Sequence, residues 1–203
     1  MSGGATRKGR LIPLRRIEGS ADEISDEALL TACAAGEASA MGALFDRHAA
    51  RVARFLRRVS RETGPDVADL LQATFLEAQR SAKRFGGRST VATWLLAIAA
   101  NIASHYARGE RRRRHMEVAL ATTPRGHVKT PSEEAERSQL LARLAAGINA
   151  LPPDQRIVYV MCEIEEVTGR ETANAMRISE PGVWRRLHDA KVFLRRFIEQ
   201  EPE

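Results

Sequence analysis

The sequence has only two cysteines in 203 residues, and they stand far apart, at Cys33 and Cys162. With no Cys-x-x-Cys pairing, the chain does not read as a disulfide framework or a zinc module. Both thiols sit in apolar helical contexts that suit core packing, and this usage fits a reducing, cytoplasmic setting. Aromatics are scarce, at 5%. No segment approaches the roughly 18 consecutive apolar residues that a membrane span requires. The opening MSGGATRKGR is basic with no apolar stretch behind it, so it does not read as a secretory signal. No strand-like alternation with period two appears, and no internal repeat. Catalytic signatures are also missing: there is no paired-carboxylate motif, nucleophile elbow, phosphate loop or zinc spacing. The chain is therefore expected to catalyse nothing and to use no cofactor or metal.

Helix formers (Ala, Leu, Arg, Glu) dominate what is present, which favours an all-α fold. Hydrophobic residues make up 43% and charged residues 29%, enough apolar material to bury a core. The length allows one ordinary domain or two small ones. The net charge is +6 and the sequence pI about 10.0. A basic balance points to a polyanionic partner, either nucleic acid or an anionic membrane surface. Simple solubility is the plainer alternative.

Residues 1–25 read as a flexible arm, basic through Arg7, Lys8, Arg10, Arg15 and Arg16 and loosened by glycines. A first short helix starts at Asp26, whose charge suits a helix N-terminus, and ends near Gly36. Met41, Leu44, Phe45, His48, Val52, Phe55, Leu56 and Val59 then recur at three- and four-residue spacings, the clearest amphipathic helix in the chain. Gly64-Pro65 breaks it. A third helix carries Val67, Leu70, Leu71, Phe75 and Ala78 and ends in Phe85-Gly86-Gly87. The fourth runs from about Ser89 past Arg108, with Trp94, Leu95, Ile98 and Tyr106 on its stripe, and finishes in the charge run Arg111–Arg114. Residues 115–135 lose periodicity and read as a linker. Beyond it, Leu140, Leu141, Leu144 and Ile148 form one stripe, Leu151-Pro152-Pro153 breaks the chain sharply, and an apolar helix covers Ile157–Ile164.

The last block reads as a helix-turn-helix. A short helix spans about 168–176, Arg177-Ile178-Ser179 makes the turn, and Ser179 is a good N-cap for a long basic helix. Pro181 is tolerated in its first turn, where N–H groups lack intrahelical partners. Val183, Leu187, Ala190 and Leu194 form the buried face, with Ile178 plugging the angle. The opposite face carries Glu180, Trp184, Arg185 and His188 as candidates for base edges, and Arg186, Lys191 and Arg195 as candidates for phosphates. Taken alone, this face is equally a solvated basic surface on a bundle helix.

Residues 69–101, DLLQATFLEAQRSAKRFGGRSTVATWLLAIAAN, resemble region two of extracytoplasmic-function (ECF) RNA polymerase sigma factors. The resemblance is carried by Asp69, Gln72, Thr74, Phe75, Arg84, Phe85, Arg88, Trp94 and Asn101, with Asp26, Gly36 and Phe45 upstream. Residues 151–197 resemble region four through Leu151, Pro152, Arg156, Glu171, Ile178, Ser179, Val183, Arg186, Leu187 and His188. Together the two matches cover roughly residues 26–198 in the family's order. The sequence departs from the pattern at Ala73, where Glu is frequent, and at His105, where Asp is. The recognition helix has Pro181, Gly182 and Trp184 where small residues and a Lys are usual, and Gly169 stands where the preceding helix usually starts with a Tyr or similar residue.

The resemblance implies an all-α protein of two small helical domains joined by a flexible linker. The N-terminal arm spans 1–25, the region-two domain 26–114, the linker 115–135 and the region-four helix-turn-helix domain 136–200. It implies a sigma factor that binds core RNA polymerase and promoter DNA and is held by an anti-sigma factor. Asp69, Gln72, Thr74 and Glu77 are the expected polymerase contacts; for Asp69, helix capping is the rival role. Arg88, Asn101, His105, Arg108, Arg111 and Arg112 are expected at the minus-ten element, where an extruded base and single-strand phosphates are held. For the arginine run, a solvated helix end is the alternative. Trp94, on the apolar stripe, is expected in the core. Glu180, Trp184, Arg185, Arg186, His188 and Lys191 are expected at the minus-thirty-five element. The linker length agrees: about twenty extended residues reach roughly 66–72 Å, and two turns of B-DNA span about 68–72 Å. A helix-turn-helix regulator working without polymerase explains residues 168–196 but not the Asp69–Asn101 match. A pure protein-interaction adaptor predicts no DNA contact at all.

Overall fold

The computed structural model describes residues 24–60, 66–116 and 133–199, with side chains described over 24–60, 66–109 and 139–199. Most of the N-terminal arm and most of the expected linker therefore lie outside the described residues. Among the described residues every regular element is a helix and no strand occurs.

Helix α1 (Asp26–Ala35) begins on Ser25, whose hydroxyl accepts the Ala28 N–H at 3.2 Å, and ends on Gly36 at φ +98°. That left-handed cap is a conformation glycine adopts without a steric penalty. Helix α2 (Ala38–Val59) follows the predicted periodicity, with Leu44, Val52, Phe55, Leu56 and Val59 buried along one face. Asp66 caps α3 (Val67–Ser81) by accepting the Ala68 N–H at 3.0 Å. A short 3-10 turn, Ala82–Arg84, leads through Phe85 and the glycines to α4 (Val91–Met116). These four helices pack into one bundle. Asp26 ties α1 to α2, meeting Arg47 Nη1 at 2.7 Å and His48 Nε2 at 2.7 Å.

Helix α5 (Glu133–Ala150) opens the second module, followed by α6 (Pro153–Tyr159), whose end widens into a π turn over Val160–Ile164. Pro153 sits in the first turn of α6, where its missing N–H costs nothing. Helix α7 (Gly169–Met176) starts in a full capping box between Thr168 and Glu171, and α8 (Glu180–Glu199) is capped by Ser179 Oγ, 3.3 Å from the Gly182 N–H. Val183, Leu187, Ala190 and Leu194 are all buried, as their spacing predicts, with Ile178 packed at the corner. The α5 stripe is shorter than predicted. Leu140 and Leu141 are 53% and 58% exposed, while Leu144 and Ile148 meet the core. The reason is where α5 crosses α8: a Cβ on Gly147 would lie 2.9 Å from Leu194 and 3.0 Å from Phe197, so the close approach falls one to two turns beyond Leu140.

The two modules are packed on each other. One apolar core runs from Leu44, Phe55 and Leu95 through to Leu151, Ile157 and Met161, and α7 lies against α4. Arg51 Nε meets Glu165 Oε2 at 2.9 Å, and Arg58 Nη1 approaches Oε1 at 3.4 Å. The Arg156 guanidinium is wholly buried and donates to the carbonyls of Asn149, Leu151 and Val59. The thiols of Cys33 and Cys162 are both pushed up, mainly by burial, so neither is a ready nucleophile.

The Asp26 anchor carries a pH signature. Partial burial pushes its carboxyl up, but the Arg47 hydrogen bond and the charge of His48 outweigh this and hold it below the usual carboxylate range. A depressed carboxylate contributes stability that is complete above its unfolded pKa, near 4, and is lost as pH falls through the lower folded value. Asp26→Asn should therefore lower the urea midpoint at pH 7 and leave it unchanged at a pH where Asp26 is protonated in both states. An equal loss at both pH values would contradict this assignment.

Candidate functional site

Three surface features converge on the α3–α4 side of the first module. The first is an apolar groove of about 390 Å³ between α2 and α3, lined by Met41, Phe45, Leu71, Gln72, Phe75 and Leu76. Phe45 and Leu76 are 40% and 46% exposed, and Phe45 stands edge-on to the buried Phe75 ring at 4.8 Å. Asp69 and Gln72 are exposed on the same helix. Capping is the work of Asp66, which leaves the Asp69 carboxylate free of that role. Glu77 is half-buried and faces Arg84 at 3.6 Å. Thr74 requires correction as a polymerase contact. It has no exposed surface, and its hydroxyl donates to the Leu70 carbonyl at 2.7 Å. It sits on the Leu70–Thr74–Ala78 row that faces the core, and the four-residue spacing of that row is the signal that reveals it.

The second feature is a cleft of about 410 Å³ beside the Arg84–Thr90 loop. Its walls include Arg84, Phe85, Arg88, Trp94 and Asn101 from the first module and Arg177 from the second. Trp94 is half-buried: it packs against the core, as its stripe predicts, and its ring also meets Phe85 edge-to-face at 5.3 Å, so the pair forms an aromatic wall. Asn101 bends back on its own helix, its Nδ2 donating to the Ala97 carbonyl at 2.9 Å, and it lines both this cleft and the neighbouring α3–α4 groove. A cleft with an aromatic wall and guanidinium groups at its rim suits a nucleobase with its phosphate. Phe85 was legible in the Phe-Gly-Gly terminator. The contribution of Glu171, Asn174 and Arg177 was not, because these residues belong to α7, far away in sequence.

The third feature is a groove between α3 and α4, lined by Ala73, Leu76, Arg80, Asn101, His105 and Tyr106. His105 and Tyr106 are exposed, with their rings perpendicular at 6.5 Å. Arg108 is exposed one turn on. Arg88, Asn101, His105 and Arg108 thus lie on one continuous side of the loop and α4. Arg111 and Arg112 fall in the last turns of α4, where side chains lie outside the described residues.

On α8, Glu180, Arg185 and His188 are exposed. Arg186 is half-buried and folds back to donate to the Gly182 carbonyl at 3.2 Å, and Lys191 is held by Glu163 at 2.9 Å. The ring of Trp184 is not free to swing. It lies over the first residue of α7, and a Cβ on Gly169 would fall 2.4 Å from its Cζ2. The two departures from the family pattern, at 169 and 184, therefore meet in space: the Trp184 ring fills the room that a side chain at 169 would need. Trp184 remains 50% exposed while its ring packs against α7. Arg177, ending α7 at φ 54°, takes the left-handed cap without a glycine. Among the described residues no helix is long and apolar enough to cross a membrane, and no group of three His, Cys, Asp or Glu converges as a metal site.

The chain matches the family model of sigma-70 region 2 over residues 44–113 and that of sigma-70 region 4 over residues 141–194. It is 32% identical over 165 residues to the ECF RNA polymerase sigma-E factor of Haemophilus influenzae, covering 77% of this chain and 86% of that protein. It is 35% identical over 153 residues to the RNA polymerase sigma factor CarQ of Myxococcus xanthus, covering 74% and 83%. Among solved structures, it resembles CnrH in complex with the cytosolic domain of CnrY, with a TM-score of 0.60 at 24% identity, covering 87% of this chain and 99% of that one. It also resembles the sigma factor RpoE in complex with the anti-sigma factor NepR from Bartonella quintana, with a TM-score of 0.56 at 17% identity, covering 78% and 96%.

The 169–184 contact is open to a direct check. Gly169→Ala should lower stability by about 1–3 kcal/mol, the usual cost of overpacking, and Trp184→Ala in the same chain should recover part of that loss. A urea midpoint unmoved by Gly169→Ala would show that the ring yields freely.

Proposed function

The chain belongs to the ECF family of RNA polymerase sigma factors, and from that premise we propose a division of labour among its surfaces. As a sigma factor it binds core RNA polymerase and directs promoter-specific transcription initiation; the chemistry is the polymerase's. The observation that carries the detailed reading is the cleft at the Arg84–Thr90 loop, where aromatic, cationic and amide groups surround one space large enough for a base.

The apolar groove flanked by Asp69, Gln72 and Glu77 is the polymerase-docking surface. Phe45, Leu76 and Phe75 supply the buried contact, and the polar side chains at its rim set register. The cleft receives a base extruded from the minus-ten element, with Phe85 and Trp94 along its plane, Asn101 at its edge and Arg88 on the adjoining phosphate. Extrusion costs a few kcal/mol of stacking and pairing, which these contacts offset. His105, Tyr106 and Arg108 extend the track along α4, and Arg111 and Arg112 lie where upstream phosphates would pass. On α8, Glu180, Arg185 and His188 meet base edges of the minus-thirty-five element, while Trp184, Arg186 and Lys191 position the helix.

CnrH and RpoE are each seen with a partner, the latter an anti-sigma factor. An anti-sigma factor of this chain, acting in the cytoplasm, would compete with polymerase for the same apolar groove. A regulator that ignores polymerase is not favoured, since it leaves both the groove and the region-two match without a role.

Two outcomes test this reading. Asn101→Ala should slow open-complex formation by about tenfold or more, followed by permanganate reactivity of unpaired thymines, while leaving affinity for core polymerase unchanged. A loss of polymerase affinity would make Asn101 a structural residue. Arg185→Ala should reduce discrimination among promoters by roughly 1–3 kcal/mol at one base position. Arg195→Ala should instead weaken all promoters alike and lower the log–log salt slope by about 0.9. Equal, sequence-independent losses for both would remove Arg185 from base reading.

A further inference from the structure

Among the described residues of α7 and α8, Trp184 is the one large apolar side chain that stays exposed. It stands early in α8, one helical turn before His188 and next to Arg185, both of them exposed. Residues three and four apart share one side of a helix. Indole, imidazole and guanidinium therefore form one patch toward the N-terminal end of α8. That end of a recognition helix is the part that meets base edges in the major groove.

The chemistry of the side chain narrows what it can read there. An indole has a single N–H donor and no acceptor, so it cannot make the paired hydrogen bonds by which Arg or Lys reads guanine. Laid against the nitrogen and oxygen atoms of a base edge, its carbon surface strips water from them and returns no hydrogen bond. The major groove offers one apolar group, the C5 methyl of thymine. An indole in this place therefore favours thymine and disfavours the other bases by the same contact.

The ring is placed by Gly169, which is buried beneath it. A Cβ at 169 would lie 2.4 Å from Cζ2, 2.9 Å from Cε2 and 3.0 Å from Cη2 of Trp184. Gly169 does not take the positive φ that calls for glycine. It is the first residue of α7, fixed there by the Thr168–Glu171 capping box. Its missing side chain serves space, then, and not backbone conformation: it lets the ring settle onto α7. The rotation of α8 about its own axis is set separately, by the buried row Val183, Leu187, Ala190 and Leu194. A side chain at 169 would accordingly move the ring rather than roll the helix.

We propose that Trp184 reads a thymine methyl in the minus-thirty-five element, and that Gly169 is the positioning residue that sets which base pair the ring reaches. This role goes beyond the helix-positioning one given to Trp184 above, and it rests on the assignment of α8 to minus-thirty-five DNA. Gly169 touches no base; it acts through the indole.

The test uses holoenzyme made with the full-length chain, on promoter DNA from the chain's own upstream region. Each thymine of the minus-thirty-five element, on either strand, is replaced singly by deoxyuridine, which removes the methyl and keeps every hydrogen-bonding group. Native holoenzyme should bind about fourfold more weakly at one such position, the effect of burying one methyl-sized group. Trp184→Ala holoenzyme should bind the thymine and uracil promoters equally there. Trp184→Lys is a second variant in case Trp184→Ala disturbs folding, which circular dichroism will report, and it should be equally blind to the methyl. Gly169→Ala keeps the indole but displaces it, so the loss should shrink or move to a neighbouring base pair while affinity for core polymerase stays unchanged. A native holoenzyme that senses no methyl would overturn the proposal, as would a thymine–uracil difference that persists without the indole. A Gly169→Ala profile identical to the native one would overturn the role of Gly169. Arg185→Ala separates the two causes of a native holoenzyme blind to the methyl. If it alters base preference in the minus-thirty-five element, α8 reads that DNA and only the role of the indole fails. If it alters none, the assignment of α8 itself is wrong.

Discussion

The packing of the two modules on each other is built around a guanidinium with no exposed surface. Removing such a cation from water costs several kcal/mol, so it persists only where carbonyls surround it. Arg156 finds them at Asn149 and Leu151, where the chain breaks before α6, and at Val59, the last residue of α2. The end of a helix carries partial negative charge on its unpaired carbonyls, which makes α2 a natural seat for a cation. One side chain thus organises the entry to the helix-turn-helix and joins it to the first helical bundle. Around it, Leu151, Ile157 and Met161 continue the core of the first module.

Much of this was written in local pattern. The α2 stripe, the Gly36 stop and the inward face of α8 follow from spacing and cap chemistry alone, because each reports on one element and its neighbours in sequence. The helix-turn-helix was readable for the same reason: Ser179 and the Val183–Leu187–Ala190–Leu194 row set its second helix before any tertiary contact is known. Thr74 shows the limit of carrying a role over by resemblance. The resemblance made it an expected polymerase contact, although its place on the Leu70–Ala78 row fixes it inside with its hydroxyl bonded back to the helix.

What the pattern did not contain was the pairing of distant elements. Glu165 meets Arg51 across 114 residues, and neither belongs to a recognisable motif. Leu140 and Leu141 satisfy a helical stripe, but whether a stripe is covered depends on where another helix crosses it, and α8 crosses at Gly147. Trp94 likewise lies on an apolar stripe and packs on the core, yet it also forms a cleft wall, because the Phe85-Gly86-Gly87 turn places an aromatic beside it. The departures at 169 and 184 were visible as two separate oddities, whereas their contact across the α7–α8 corner was not.

The account treats the Arg84–Thr90 loop and α8 as readers of two DNA elements by one chain. Photocrosslinking from each reader tests this most directly, using Gly86→Cys and Asp189→Cys chains, each carrying a thiol-attached aryl azide, in holoenzyme on promoter DNA from the chain's own upstream region. The account predicts that position 86 labels the non-template strand within the melted segment, and that position 189 labels duplex DNA about two helical turns upstream, near 20–21 base pairs. Labels that coincide, or a position 86 that marks no DNA while initiation proceeds, would contradict it.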